Sequence, residues 1–445
     1  MELENRPLQN TGDPSVTEEQ DAALVRSYRL NSTRKVFRLR SGPLKKETKY
    51  PEDRRVAMTF APLEPITQRF IDDLMAAGGP PVHTLSPADA RALLARQQSV
   101  PTAKPDAHIE DATFPVGPKG AVRVRIVRPK DSKRLVPVIM HFHGGGWVLG
   151  DVNTHDRLIR EIAVGAHAAV VFVDYDRAPE AQFPIPLEEA YAATKYVAEN
   201  GSNLNVDSSR LAVVGDSAGG NIAAAVTLLC KERRGPTISF QLLFYPVTDA
   251  NFETGSYTQF QDGPWNTKAA MEWFWNAYLP DKAARRAIIA APLTATPNQL
   301  EGLPNALVIT AENDVLRDEG EAYARKLWEA GVRVTCTRYI GTIHDFVMLN
   351  AIADAPAARS AIAQANGALI SALQQAREIE GDVTGMSHRS VLAKSCPIAL
   401  QQQHWPFAAV HESVHGTFRT CMVQPTMSDH GGKADLAVTW VEVRV

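Results

Sequence analysis

The stretch "VVGDSAGGN", Val213 to Asn221, sets one serine among three glycines and an alanine, directly after a run of apolar residues. A strand that turns abruptly into a helix brings backbone against backbone, and the small residues Gly215 and Gly219 make such a turn possible. A serine at its apex is held on an exposed point at the carboxyl end of the strand. There it faces the amide of Ala218, which opens the following helix. The pattern G-x-S-x-G thus marks Ser217 as a candidate nucleophile, and a glycine-rich turn with an incidental serine is the alternative. Only partners elsewhere in the chain separate the two.

Serine attacks poorly at neutral pH unless a base takes its proton, so the partners needed are a histidine and a carboxylate, each following a later strand. "ALVITAEND", Ala306 to Asp314, reads as a buried strand ending in an acid, and "VRVTCTRYIGTIHDF", Val332 to Phe346, as another ending in His344. The chain order is Ser217, Asp314, His344. In an open parallel sheet the residues just past adjacent strands meet at one edge, which would gather these three. Glu312 falls within the strand end, and Asp318 and Glu319 fall where a helix begins and suit capping and the helix dipole, leaving Asp314 as the best-placed acid.

Attack on a carbonyl also needs donors for the developing negative charge. "VIMHFHGGGWVLGD", Val138 to Asp151, places Gly144, Gly145 and Gly146 after a strand, where their amides can point into a cavity with no side chain in the way. His143 then reads as a brace for this loop. Neither G-x-x-x-x-G-K-[ST] nor G-x-G-x-x-G accompanies it, which argues against a phosphate cradle.

The ordered set "HGGGW", "VDYDRAPEAQFPIPLEEAY", "GDSAGGN", "DVLRDEG" and "GTIHDF" resembles the hormone-sensitive-lipase branch of the α/β-hydrolases, a group of carboxylesterases and acetyl esterases. The resemblance runs from about Pro65 to about Gln375. It implies a mostly parallel, doubly wound sheet under a helical cap. It also implies Ser217 as nucleophile, His344 as general base and acid, Asp314 as the residue orienting it, and the amides of Gly145, Gly146 and Ala218 as oxyanion donors, with Gly144 sharing the work. Two positions depart from the family pattern. Asp176 and Arg177 stand where an arginine and an apolar residue are usual, and Asp345 stands where glycine usually follows the histidine. A carboxylate there would raise the imidazole pKa if it points inward. An ordinary histidine would give an acid limb at roughly pH 6 to 7.

With 445 residues, 44% of them hydrophobic, the chain can bury a full core and is long for one domain. A formal net charge of -3 gives no general attraction to nucleic acid or an anionic membrane. Cys230, Cys336, Cys396 and Cys421 are too few and scattered for a disulfide framework, and the opening "MELENRPLQNTGDPSV" has no apolar signal core, so a cytoplasmic protein is expected. No metal or organic cofactor is expected.

Along the chain, residues 1–58 read as a polar extension with a basic stretch from Arg34 to Arg55, and 59–105 as two short amphipathic helices, the second capped by Ser86, which the resemblance implies form part of a cap over the site. Residues 106–381 read as the catalytic domain. It opens with a hairpin and carries an insertion near 255–295, rich in Trp265, Trp273, Phe274, Trp275 and Tyr278, which the resemblance implies is a second part of the cap. Aromatics at that density are core first, and the resemblance implies that some of these rings line the substrate pocket. Residues 382–445 read as an extension without sustained periodicity, apart from one edge strand over Leu436 to Val445. His411 and His415 have the spacing of helical metal ligands, but no supporting motif frames them. The function expected is a serine carboxylic-ester hydrolase acting on short-chain or acetylated small molecules. An amide or lactone hydrolase with the same three residues, or a ligand-binding receptor on the same fold, are the alternatives.

Overall fold

A computed structural model describes residues 61–130, 135–385, 411–414, 417–425 and 436–444, with side chains for 61–130 and 135–374. The extension 1–58 and its basic stretch lie outside the described residues. Helices α1 (Pro65–Ala77) and α2 (Pro87–Gln97) come first, and the Ser86 side chain accepts from the Asp89 amide to cap α2 as its position before Pro87 suggests. Strands β1 (Ala107–Phe114) and β2 (Val122–Pro129) form the expected antiparallel hairpin, with Phe114 opposite Val122. Alternation places Val122, Val124 and Ile126 of β2 in the core.

From there strands and helices alternate: β3 (Val136–Phe142), α3 (Asp156–Gly165), β4 (Ala169–Asp174), α4 (Ile185–Asn200), β5 (Val206–Asp216), α5 (Ala218–Glu232) and β6 (Phe240–Phe244). The short α6 (Gly255–Gln259), α7 (Lys268–Tyr278) and the single-turn α8 (Pro297–Leu300) interrupt the rhythm, and it resumes with β7 (Asn305–Asn313), α9 (Arg317–Glu329), β8 (Val334–Ile343) and α10 (Pro356–Gly385). The eight strands pair in the order β1-β2-β4-β3-β5-β6-β7-β8 and are parallel from β4 to β8. Helices cover both faces, so β4 and β6 are apolar almost throughout rather than alternating. Central α5 is buried at every residue from Ala218 to Cys230. Helix α10 closes the domain through Ala358, Ala361, Ile362, Ala365, Leu369 and Leu373.

The C-terminal part differs from the sequence reading in two ways. Helix α10 continues to Gly385, so a boundary at 381 falls inside it. Beyond it, β9 (His411–Val414), β10 (Thr417–Pro425) and β11 (Leu436–Arg444) form a three-stranded antiparallel sheet with β10 in the middle, where one strand was expected. The alternation of β11 is legible in the sequence, whereas β9 and β10 depend on pairing with another strand, which local periodicity does not display. His411 lies on a strand, so the helical spacing that suggested metal ligation does not apply to it. Among the described residues no helix is long and apolar enough to cross a membrane.

Candidate active site

Ser217 immediately follows β5 and precedes α5, with φ 54° and ψ −119°, a strained conformation of the kind that functional turns store. A Cβ at Gly219 would run into the Phe142 carbonyl, and one at Gly215 into the Gly219 carbonyl, which accounts for both glycines. The Ser217 amide donates to Phe244 O at 2.9 Å, fixing the turn on the neighbouring strand.

Asp314 follows β7 and His344 follows β8, and the sheet brings them to the serine. His344 Nε2 lies 2.9 Å from Ser217 Oγ, and Nδ1 lies 2.6 Å from Asp314 Oδ2. Asp314 Oδ1 accepts from the Leu316 amide at 3.0 Å, which leaves Oδ2 for the imidazole. With Nδ1 donating to Asp314, Nε2 is the acceptor for the serine hydroxyl. Tyr245, just after β6, sets its ring edge-on to His344 at 4.8 Å. Burial works against a charged imidazole, but the Asp314 and Asp345 carboxylates outweigh it and raise His344 to about 9. This lies above the ordinary histidine range because two carboxylates face one ring, the inward-pointing Asp345 adding to Asp314.

Gly145 and Gly146 line the same cavity as Ser217 and His344, and both have positive φ, 100° and 60°. Gly144 is placed differently: a side chain there would strike the Asp216 carboxylate beneath the turn. His143 braces the loop as expected. Its ring stacks on Tyr175 at 4.1 Å, its Nδ1 lies 2.9 Å from Gly144 O, and Tyr175 Oη donates to His143 O at 2.7 Å. Complete burial holds His143 well below the usual histidine range, so it stays neutral. Under the loop, Asp216 pairs with His155 Nε2 at 3.2 Å. Burial opposes both charges, yet their attraction lowers the carboxyl and raises the imidazole.

The cavity holds about 220 Å³. Leu93, Leu94 and Gln97 of α2 form one wall, and Trp265, Met271 and Phe274 of the insertion form another. The insertion's rings thus divide: Trp265 and Phe274 face the cavity, Trp275 and Tyr278 are fully buried, and Trp273 packs on Phe274 at 5.1 Å. Of the two departures, Asp176 pairs with Lys119 and Arg123 at the surface while Arg177 donates to Gly150 O, both away from Ser217. Asp345 points inward, with its Oδ1 3.4 Å from His344 Nε2.

Several residues that hold this site carry no sequence signal. Arg91 of α2 donates to Val148 O at 2.8 Å and to Glu180, tying the cap to the glycine loop. Gln98 accepts from the Asn350 amide at 2.9 Å and Asn350 Nδ2 donates to Gln98 O at 2.7 Å, while buried Arg157 donates to the carbonyls of Val347 and Met348. These bonds fix the segment that follows His344. Asp318 and Glu319 do more than suit their own helix: Asp318 Oδ2 accepts from the Ser256 amide and Glu319 Oε1 from those of Thr248 and Asp249, so both hold the start of the insertion.

The family described as the alpha/beta hydrolase fold matches residues 139–348. The carboxylesterase NlhH of Mycobacterium tuberculosis is 38% identical over 288 residues, which cover 64% of this chain and 88% of the relative. A thermostable esterase from Pseudomonas putida is 50% identical, with a TM-score of 0.69 over 70% of this chain and 98% of that structure. A fungal esterase from Rhizomucor miehei is 40% identical, with a TM-score of 0.67 over 72% and 99%. Fold and site define a hydrolase with a helical cap over the carboxyl edge of a parallel sheet. The chain belongs to the α/β-hydrolase family, in its hormone-sensitive-lipase-like branch, and is an enzyme that hydrolyses carboxylic esters.

Proposed function

We propose that Ser217, His344 and Asp314 carry out this hydrolysis through an acyl-enzyme, on small esters with short acyl groups. Ser217 Oγ attacks the ester carbonyl carbon as its proton passes to His344 Nε2, and Asp314 holds the tautomer and stabilises the imidazolium. The amides of Gly145, Gly146 and Ala218 receive the oxyanion. Collapse breaks the bond to the alcohol, which leaves with the Nε2 proton. Water then gives its proton to the same nitrogen as it attacks the acyl carbon, and collapse breaks the bond to Ser217 Oγ, which takes that proton back from Nε2 as the acid leaves. The observation that carries this reading is the unbroken chain from Ser217 Oγ through His344 to Asp314, at 2.9 and 2.6 Å, opening into the cavity walled by Gly145 and Gly146.

The small cavity supports the preference for short acyl groups. Residues 59–105 with the insertion near 255–295 act as the cap in this reading, supported by α2 and α7 side chains in the cavity wall. A cytoplasmic setting belongs to the same proposal and is consistent with Cys230 and Cys336 as free thiols. The test is turnover of p-nitrophenyl acetate and butyrate by the native protein and by Ser217→Ala. The variant should keep its fold and lose about 10⁴-fold or more in kcat. Near-native turnover in a folded variant would sink the assignment.

A further inference from the structure

The residue after His344 is an aspartate whose side chain turns into the site. Asp345 has φ 65°, the left-handed region where glycine is unstrained and aspartate is tolerated at some cost. Its Oδ2 accepts from Trp265 Nε1 at 3.0 Å, a bond that reaches back to the cap insertion. Its Oδ1 is buried, makes no hydrogen bond of its own, and lies 3.4 Å from His344 Nε2. Both Asp345 and Trp265 line the cavity. His344 therefore stands between two carboxylates, Asp314 at Nδ1 and Asp345 beside Nε2.

The two protonation states of His344 feel this second acid with opposite sign. While Nδ1 donates to Asp314, neutral imidazole presents the Nε2 lone pair to Ser217 Oγ and also to Asp345 Oδ1, and lone pair against carboxylate repels. Once Nε2 has taken the serine proton, the same contact becomes a charge-assisted attraction. His344 and Asp345 are only 4% and 9% exposed, so water does little to screen it.

The other ionisable groups around the ring leave this contact standing. Asp216 is already paired with His155. Tyr245 is held neutral by burial, and Arg157 is taken up by Glu161, Asn350 and the carbonyls of Val347 and Met348. His83 lies on the cap wall. Among the described residues, His344 is the cation paired with the Asp345 carboxylate. Burial pushes that carboxyl up, with His344 and then the Trp265 N–H pulling it down.

We infer that Asp345 is a positioning residue for His344: held by Trp265, it retains the proton at Nε2 and confines ester hydrolysis to more alkaline pH than the same site would show with glycine there. The inference rests on the roles proposed for Ser217 and His344. It also explains why a strained aspartate occupies a position that glycine would fit without strain.

The test is the pH dependence of kcat/KM for p-nitrophenyl acetate in the native protein, Asp345→Asn, Asp345→Gly and Trp265→Phe. Asparagine keeps the shape and tolerates positive φ, and glycine suits the backbone, so both variants should fold. The acid-limb midpoint should fall by about one unit or more in both, a tenfold weaker hold on the proton. Trp265→Phe, which keeps the charge but frees Oδ2, should fall between them and the native protein. A readout independent of turnover is NMR titration of the His344 ring in Ser217→Ala and in Ser217→Ala/Asp345→Asn, where the second should deprotonate at lower pH. Midpoints within about 0.2 unit of the parent in both Asp345 variants, by rate and by NMR, would overturn the inference. Activity surviving in Ser217→Ala would instead overturn the nucleophile assignment, while the NMR titration would still report on Asp345.

Discussion

The indole of Trp147 lies flat on the phenol ring of Tyr278, with centroids 4.2 Å apart and planes 6° from parallel. Trp147 ends the glycine loop at φ 61°, and Tyr278 ends α7, so the loop that carries the proposed oxyanion donors is clamped by the cap insertion. Both rings are fully buried, and Tyr278 Oη has no hydrogen-bond partner among the described residues. Tyr278→Ala should therefore cost about 3–5 kcal/mol and lower kcat as the loop loosens. Tyr278→Phe should stay within about 1 kcal/mol of the native protein, since no bond is lost. Urea unfolding and ester kinetics on the two variants check this. An alanine variant with native kcat would show that the loop is held elsewhere.

Activity and stability should respond to alkaline pH in opposite directions. The His344 pKa, raised to about 9, lies above the ordinary histidine value near 6.5. Neutral imidazole is needed to accept the serine proton, so kcat/KM should still be rising where an ordinary triad has reached its plateau. The folded state binds this proton more tightly than the unfolded chain. The stability it confers is fully present below about 6.5 and lost as pH rises through about 9. Melting temperature measured beside kcat/KM from pH 6 to 10 tests both halves, and a rate already flat at neutral pH would contradict the first.

Chain-length selectivity should be set by the cavity wall. Met271 is fully buried in α7 and lines the cavity of about 220 Å³, so Met271→Ala opens space beside Ser217. The ratio of octanoate to acetate turnover should rise by about tenfold, the worth of one or two methylenes admitted to an apolar pocket. An unchanged ratio in a stable variant would place the acyl group elsewhere.

Residues after α10 should be dispensable for hydrolysis. Among the described residues β9 to β11 pair with one another and with no strand of the eight-stranded sheet. A chain ending at Gly385 should keep its melting temperature and its ester turnover. Loss of most activity would make the small sheet part of the working fold.

Much of this site could be read from the linear chain. Ser217, Asp314 and His344 each stand one position beyond a strand, and strand ends are marked by local features: apolar runs, a glycine where backbone approaches backbone, a turn. The parallel sheet then does the gathering, so correct strands and chain order were enough to bring three distant residues together. The glycine loop was legible for the same local reason, although Gly144 packs on Asp216 rather than lining the cavity.

What tertiary structure alone decided is where side chains point once the elements pack. Trp265 and Trp275 share one aromatic segment, yet one lines the cavity and the other is core, because packing against the sheet selects which face of α7 and its preceding loop is covered. Asp345 meets Trp265 across 80 residues, and Gln98 meets the Asn350 amide across 252. Periodicity and steric fit act between near neighbours and leave their mark in a few consecutive residues. A hydrogen bond between distant segments leaves none, because its geometry exists only after the hydrophobic faces have chosen one packing.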